Sequence, residues 1–251
     1  MNLIETLDNT SSFLSEFEER VRDVDPVIKG VLFSEILFLQ ASLGGRPPSQ
    51  ILESGRAQGQ STKLLSLCFP DSQVISVEHN SSSPDAAIAL ERLASLPNVA
   101  PLFGDSRIVL PALVQQNSIA LIDGPKGLRG LPLAGRLLAT GKVRAVYLHD
   151  FYQGLPERRY IERHIPGVFF SDNPDFVRQS KHLDGPCWTT NSKAGKASGR
   201  PYHFAGQDQE SYGPTMACIP HLPDVNYRRL LNRIHLARVV SKLQDLFLRA
   251  A

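Results

Sequence analysis

The hydrophobic pattern of the chain changes near residue 45. Before that point, apolar residues recur every three or four positions, first over 13–21 and again after Pro26, which is the spacing of helices that bury one face. Gly44 and Gly45 end the second apolar run. Residues 1–45 are therefore predicted to form a helical cover, with its second helix beginning at Pro26, a residue suited to a first helical turn.

From Gln50 onward, short continuous apolar runs alternate with helical patterns. This alternation is typical of an α/β fold, in which a mostly parallel, twisted sheet is covered by helices on both faces. Strands are predicted at about residues 50–53, 73–78, 99–103, 119–122 and 145–148, with helices at about 63–68, 84–96, 108–115 and 131–139 between them.

The pattern weakens after the fifth strand. Residues 192–213 are rich in Gly, Ser, Lys and Gln and are predicted to form a mobile loop. A last strand is expected at about 215–219, and a long C-terminal helix follows over about 224–249. The predicted organisation is an N-terminal cover (1–45), an α/β domain (46–222) and a C-terminal helix (223–251).

Composition narrows the class of protein. The chain has 251 residues, of which 42% are hydrophobic, enough for one large core. It has neither a membrane-length apolar run nor the pattern of a signal peptide, so a cytoplasmic protein is predicted. Three widely spaced cysteines predict free thiols, because they support neither a disulfide framework nor a zinc site. The small net charge of +2 gives no indication of nucleic-acid binding.

Polar residues follow all five predicted strands. In a parallel sheet, ligands bind beyond the carboxyl ends of the strands, so these residues are candidates for one shared site. They are Glu53, Glu78, Asp105, Asp123 and the pair His149-Asp150.

The first strand leads into a glycine-rich turn. Gly55 and Gly59 follow Glu53, and Ser61 lies at the start of the next helix. Glycine lets a ligand approach the backbone closely, and a helix N-terminus offers unpaired N–H groups. A nucleotide-like cofactor is therefore predicted here. A dinucleotide-binding dehydrogenase is disfavoured, because its G-x-G-x-x-G motif would need a glycine where Ala57 stands.

The turn, together with Glu78 one strand later, resembles the class I S-adenosylmethionine-dependent methyltransferases over about residues 25–150. The resemblance implies a Rossmann-like methyltransferase fold with S-adenosylmethionine as the cofactor. It also implies that Glu53, Gly55 and Gly59 hold the amino-acid part of the cofactor, while Glu78 binds the ribose hydroxyls. The commonest family pattern has a third glycine where this chain has Ala57.

Two later segments extend the same resemblance. Asp105 and Ser106 resemble the turn that contacts the adenine, and Asp123 corresponds to a residue close to the cofactor and the reacting methyl group. The Gly-x-Ser-Thr sequence around Ser61 is similar to that of small-molecule O-methyltransferases. The resemblance therefore adds Asp105, Ser106, Asp123 and Ser61 to the predicted cofactor site.

The spacing of Asp123 and Lys126 resembles the metal-dependent catechol and caffeoyl-coenzyme A O-methyltransferases, where the aspartate binds a divalent metal and the lysine is the general base. Three interpretations are open. The first is a magnesium-type site on Asp123 and Asp150, with His149 where a further metal ligand would be expected. The second is metal-free general-base catalysis by Lys126, His149 or Asp150, for which a lysine would need a lowered pKa. The third is a structural role at loop ends.

These observations predict an S-adenosylmethionine-dependent methyltransferase, acting on oxygen of a small molecule or sugar. The expected partners are a small-molecule acceptor and, through the terminal helices, a second copy of the chain; no nucleic-acid partner is expected. A methyltransferase acting on protein or RNA is one alternative, although the segment after strand four does not carry an N-P-P-Y motif. Another is a non-catalytic binding protein that retains the fold.

Overall fold

A computed structural model describes residues 1–28, 30–187, 189, 215–230 and 232–234. Its helices are α1 (Leu3–Val21), α2 (Phe33–Ser42), α3 (Gln60–Cys68), α4 (Pro84–Leu93), α5 (Ser106–Leu113), α6 (Leu131–Leu138), α7 (Pro156–His164) and α8 (Pro174–Ser180). Its strands are β1 (Gln50–Ser54), β2 (Gln73–Glu78), β3 (Val99–Phe103), β4 (Ser118–Ile122), β5 (Val143–Leu148), β6 (Phe169–Phe170) and β7 (Ala217–Pro220).

The seven strands form one sheet in the order β3-β2-β1-β4-β5-β7-β6. Strands β1 to β5 run parallel to one another, and β7 runs antiparallel to β5 and β6. The predicted α/β fold with a mostly parallel sheet is confirmed. The strand order reverses between β1 and β4, which are neighbours in the sheet. In such folds ligands bind at this point, beyond the carboxyl ends of the strands.

Two apolar cores cover the two faces of the sheet, because successive residues of a strand point to opposite sides. In β1, Ile51 joins the core with α1, α2 and α3, while Leu52 joins the core with α5 and α6. All residues of β1 and β4 are buried. The central strands are therefore rigid supports for the loops that leave their carboxyl ends.

Two helices occupy the first 45 residues, but the second begins at Phe33 rather than at the predicted Pro26. The intervening segment is held by a side chain from α3. Gln60 accepts a hydrogen bond from the Val27 N–H, and its amide group donates to the Val31 carbonyl at 2.6 Å. This tertiary contact engages the backbone of the intervening segment, and no local pattern in the sequence reveals it.

Several other predicted bounds differ from the structure by one to three residues. Strand β5 begins at Val143, β7 covers Ala217–Pro220, and α4 ends at Leu93. The predicted mobile loop and most of the predicted C-terminal helix lie outside the described residues. Of that helix, 227–230 and 232–234 are helical where described.

No helix in the described part of the chain combines the length and the apolar character needed to span a membrane. The cytoplasmic location and the homodimer through the terminal helices stay predictions.

A buried carboxylate fixes the beginning of α2. Asp184, in a short 3₁₀ helix after α8, accepts hydrogen bonds from the Ser34 backbone N–H at 2.9 Å and from the Ser34 hydroxyl at 2.6 Å. Burial raises the pKa of Asp184 to about 7, although the hydrogen bonds from Ser34 act in the opposite direction. The start of α2 is thereby tied to a segment about 150 residues away.

This raised pKa predicts a pH-dependent stability. Between about pH 4 and pH 7 the folded chain binds a proton at Asp184 that the unfolded chain releases. The stabilisation that this proton gives to the folded state is therefore complete below about pH 4 and is lost as the pH rises through about 7. We expect the free energy of unfolding, measured by urea denaturation, to lose on the order of 2 kcal/mol between pH 5 and pH 8 from this group.

The Asp184→Asn variant should lack this part of the slope, whereas Asp175→Asn, at an exposed position of α8, should retain it. Equal slopes for wild type and Asp184→Asn would contradict the prediction.

Candidate active site

The predicted site residues lie at the carboxyl ends of five adjacent strands, in the order β3-β2-β1-β4-β5. Ser54, at the end of β1, pairs with Val77 of β2 on one side and with Ile122 of β4 on the other. Ile122 pairs in turn with Leu148 of β5. The loops that follow these strands therefore begin side by side, although they are separated by many residues in sequence.

The glycine turn after β1 packs directly on the loop after β4. Gly55 has a φ of +88°, and a Cβ added there would lie 2.8 Å from the Gly124 backbone nitrogen. The Asp123 and Gly124 N–H groups both donate to the Ser54 carbonyl, at 2.8 and 2.9 Å. Glycine is needed at position 55 for both conformation and space.

The turn leads into α3 at Gly59, which has a φ of +80°. Between the two glycines, Ala57 has a φ of +45°, a region that favours glycine. The turn thus adopts a glycine-like conformation at the position where the commonest family pattern has its third glycine.

Glu53 is fully buried beneath this turn. Its carboxylate accepts hydrogen bonds from the hydroxyl groups of Ser61, Thr62 and Ser76. Burial raises the pKa of Glu53 despite these three donors. In the structure, Glu53 and Ser61 therefore bond to each other and join β1 to the first turn of α3; their contact with a cofactor stays a prediction.

Glu78 lies at the carboxyl end of β2, half-buried and facing the glycine turn. One carboxylate oxygen accepts the N–H groups of Arg56 and Ala57, at 3.1 and 3.0 Å, and the other accepts the His79 N–H at 2.7 Å. These bonds fix the orientation of the carboxylate beside the turn. A carboxylate held in this way fits the binding of a ribose diol, since its oxygens accept more than one hydrogen bond each.

Asp105 and Ser106 follow β3 and begin α5. Asp105 caps the helix by accepting the Arg107 N–H at 2.9 Å, and it also pairs with the Arg107 guanidinium. Hydrogen bonds from that side chain lower the pKa of Asp105 to about 2. The Ser106 hydroxyl lies 2.6 Å from the Ser54 hydroxyl, which brings this turn to the end of β1.

The loops after β4 and β5 form a charged cluster. His149 Nδ1 lies 2.6 Å from Asp123 Oδ1, and Nε2 lies 3.1 Å from an oxygen of Glu35. Lys126 Nζ contacts Asp123 and lies 2.6 Å from Asp150 Oδ2. The three predicted catalytic residues and both predicted metal ligands therefore belong to one connected network.

The charged groups of this network shift one another's pKa values toward the ionised forms. Burial lowers the pKa of His149, but the charges of Glu35 and Asp123 raise it well above its ordinary value. Both ring nitrogens face carboxylate oxygens, which only accept hydrogen bonds when ionised, so His149 is an imidazolium that donates from both nitrogens. Burial raises the pKa of Asp123, but His149 and Lys126 lower it overall.

The pKa of Lys126 is also shifted toward the charged form. Burial lowers its pKa, but Asp123 and Asp150 raise it above the ordinary value. The lowered pKa that a lysine base requires is therefore not what this arrangement produces.

Members of the cluster differ in their access to solvent. The side chain of Lys126 is 47% exposed and that of Asp150 is 33% exposed, whereas that of His149 is only 6% exposed. Asp150 has a φ of +63°, a strained conformation that is uncommon for a residue with a side chain. Lys126 and Asp150 thus form the open side of the cluster, and His149 lies behind them.

Sequence reasoning missed Glu35, the buried end of the network. One carboxylate oxygen accepts the Leu32 N–H at 2.9 Å and faces His149; the other accepts the Thr215 N–H at 2.7 Å. All ten residues of α2 are buried, and Glu35 is the one ionisable residue among them. A single carboxylate within an apolar helix was the available signal, because such a group needs a buried partner.

Arg56 was missed as well. Its guanidinium is buried, donates to the carbonyls of Ser76 and Leu102 at 2.7 and 3.2 Å, and lies over the Phe103 ring. Its Nε and Nη2 have no hydrogen-bond partner among the described residues. Arg56 therefore anchors the glycine turn to β2 and β3.

The donor atoms of Asp123, His149 and Asp150 lie within 4.8 Å of one another, which is close enough to surround one cation. Lys126 Nζ already contacts all three residues: it pairs with both carboxylates and lies 3.3 Å from His149 Nδ1. The donor set thus holds an ammonium group, and in this arrangement it does not fit a divalent metal in addition.

The chain is similar in fold to several solved structures of methyltransferases. The chain is similar to the O-methyltransferase TomG from Streptomyces achromogenes, involved in tomaymycin synthesis and solved in complex with SAM. The identity is 18%, the match covers 83% of this chain and 89% of TomG, and the TM-score is 0.47. It is also similar to cofactor-bound Rv0187 from MTB, with 17% identity, coverage of 84% and 89%, and a TM-score of 0.47.

A third similar structure is the SAH-bound methyltransferase PaMTH1 from Podospora anserina, at 15% identity, with coverage of 86% of this chain and 88% of PaMTH1 and a TM-score of 0.43. No protein-family model and no curated protein matches the chain significantly. At these identities the likeness concerns the fold, and the activity of this chain has to be argued from its own site.

The position of Glu35 predicts a large effect on stability. Glu35→Leu removes a buried carboxylate and leaves the His149 imidazolium without one of its two partners and the Thr215 N–H without its acceptor. We expect the free energy of unfolding, measured by urea denaturation at pH 7, to fall by about 3–5 kcal/mol.

Glu35→Gln retains an acceptor and should lose less. Glu91→Leu, at an exposed position of α4, should change stability little. A Glu35→Leu variant as stable as the wild type would show that the buried pair does not support the fold.

Proposed function

We propose that the chain is an S-adenosylmethionine-dependent methyltransferase that acts on an oxygen atom of a small molecule or sugar. One observation carries this proposal: the glycine turn beside Glu78 and the charged cluster of Asp123, Lys126 and Asp150 lie on adjacent loops. The Gly55–Gly124 backbone contact joins those loops. A site for a methyl donor and a site for proton handling are thus direct neighbours.

The donor side is formed by the turn after β1 and by the residues that follow β2 and β3. Glu78 is oriented by backbone N–H groups and would accept hydrogen bonds from the ribose. Asp105 and Ser106 would border the adenine. Gly55 and Gly59 keep the turn free of side chains, and Glu53 supports the turn from below through its hydroxyl partners.

The acceptor side is the open part of the charged cluster. The cofactor would supply an electrophilic methyl group, and the chain has to orient an acceptor hydroxyl toward it and remove its proton. Asp150 would accept the hydrogen of that hydroxyl, because its carboxylate is partly exposed. The Lys126 ammonium, 2.6 Å from Asp150, would stabilise the negative charge that develops on the oxygen.

His149 takes a different part in this proposal. Its ring nitrogens are directed at Asp123 and Glu35, so it would hold Asp123 in place rather than bind the acceptor. The catalytic role predicted for His149 thereby becomes indirect, acting through the position of Asp123 and, with it, of Lys126.

Cofactor binding gives the first test. We expect titration calorimetry to show binding of S-adenosylmethionine and of its demethylated product at one site per chain. Glu78→Ala should weaken both by about 10-fold or more, since it removes hydrogen bonds to a charged group worth about 1.5–3 kcal/mol.

Glu91→Ala is the matched control, because it removes an exposed carboxylate of α4 from the same part of the chain. Unchanged affinity in Glu78→Ala would show that the cofactor does not bind beside Glu78. Absence of binding to the wild-type protein would contradict the proposal.

Turnover gives the second test. Formation of S-adenosylhomocysteine should be detected with at least one member of a panel of phenols, catechols and sugars. Asp150→Asn should lower kcat about 100-fold, the scale of general-base catalysis, while the affinity for S-adenosylmethionine changes little.

Asp71→Asn should keep full activity, because Asp71 is exposed and lies just before β2, at the amino ends of the strands. Cofactor binding without turnover on any small molecule, protein or RNA would favour a non-catalytic binding protein. Turnover on protein or RNA alone would favour that alternative class of methyltransferase.

A further inference from the structure

Three side chains after β4 and β5 lie around the ammonium group of Lys126. Asp123 and Asp150 offer carboxylate oxygens, and His149 offers a ring nitrogen. These are the chemical groups that bind divalent metals. The cation at their centre is the ammonium group of Lys126, which contacts an atom of each of the three residues.

We propose that Lys126 takes the place of a divalent cation in this chain, so that the cluster works without a metal on Asp123 and Asp150. This inference deepens the proposed function, since it concerns the charge that would face the acceptor oxygen. It depends on the positions of four side chains and not on the identity of the acceptor.

The first argument is electrostatic. Two carboxylates that face the same point repel each other and require a positive charge between them. Lys126 supplies it from within the chain, as a compact point charge with three donors. A divalent ion at the same place would lie within a few ångströms of the ammonium, where like charges repel strongly unless the lysine moves away.

The second argument concerns the remaining donor. A histidine binds a metal through an unprotonated ring nitrogen. In this chain His149 Nδ1 lies 2.6 Å from Asp123 Oδ1, and Nε2 lies 3.1 Å from an oxygen of the buried Glu35. Both ring nitrogens are thus directed at carboxylate oxygens of the protein, so the ring is already engaged where an ion would have to bind.

The third argument is the backbone of Asp150. Its φ of +63° costs conformational energy for a residue with a side chain. The carboxylate that this conformation presents lies 2.6 Å from Lys126 Nζ. The strained residue therefore completes the binding of the ammonium group, as a ligand would complete the coordination of an ion.

Binding of Mn²⁺ by the full chain tests the proposal, because it is measured without any turnover. In titration calorimetry, the wild type should show no saturable Mn²⁺ site that depends on Asp123, so Asp123→Asn should leave its Mn²⁺ binding unchanged. Lys126→Met keeps the carboxylates and vacates the position of the ammonium, so it should bind one Mn²⁺ at least about 10-fold more tightly than the wild type. Adding Asp123→Asn to Lys126→Met should abolish the new site.

Lys142→Met is the matched control, because Lys142 is exposed and lies at the opposite end of β5; it should bind Mn²⁺ as the wild type does. Circular dichroism should establish that each variant is folded. Two results would overturn the proposal: a wild-type Mn²⁺ site that depends on Asp123 and is unchanged in Lys126→Met, or a folded Lys126→Met variant with no gain in Mn²⁺ binding. Separate titrations with S-adenosylmethionine report on the proposed function, so the two ideas can fail independently.

Discussion

The buried contact between Glu35 and His149 determines the geometry of the candidate active site. A carboxylate inside an apolar helix is costly unless it is paired, and an imidazolium behind a sheet edge has the same requirement. Each group satisfies the other at 3.1 Å. Because His149 also binds Asp123, the position of α2 on the sheet and the position of the charged cluster are not independent. The N-terminal cover is therefore part of the site as well as part of the core.

Much of the sheet could be predicted because its signals are local. Continuous apolar runs identified β1, β2 and β4 closely, since buried parallel strands need no polar positions. The beginning of α2 could not be predicted in this way. It depends on Gln60 and Asp184, which act across 33 and 150 residues of sequence. A helical pattern indicates where a helix is favoured, but tertiary hydrogen bonds decide which part of it forms.

The same division holds for the candidate site. The residues after the strands could be found from sequence, because parallel strands bring their carboxyl ends to one edge. The roles within the cluster depend on burial and on contacts between separate loops. Sequence alone treats Lys126, His149 and Asp150 alike, whereas burial separates them into two exposed groups and one enclosed group. Nor did the sequence indicate that Glu53 would be surrounded by hydroxyl groups, since Ser61, Thr62 and Ser76 come from two different elements.

The contact between Gly55 and Gly124 has a consequence for redesign of this chain. Both positions lack a side chain, so the backbones of the two loops meet directly at this point. A designer who wished to alter the acceptor could therefore vary the residues around Lys126 and Asp150 and leave Gly55 and Gly124 unchanged. A side chain added at Gly55 would push the two loops apart and so change the alignment of the two halves, on which any reaction between them depends.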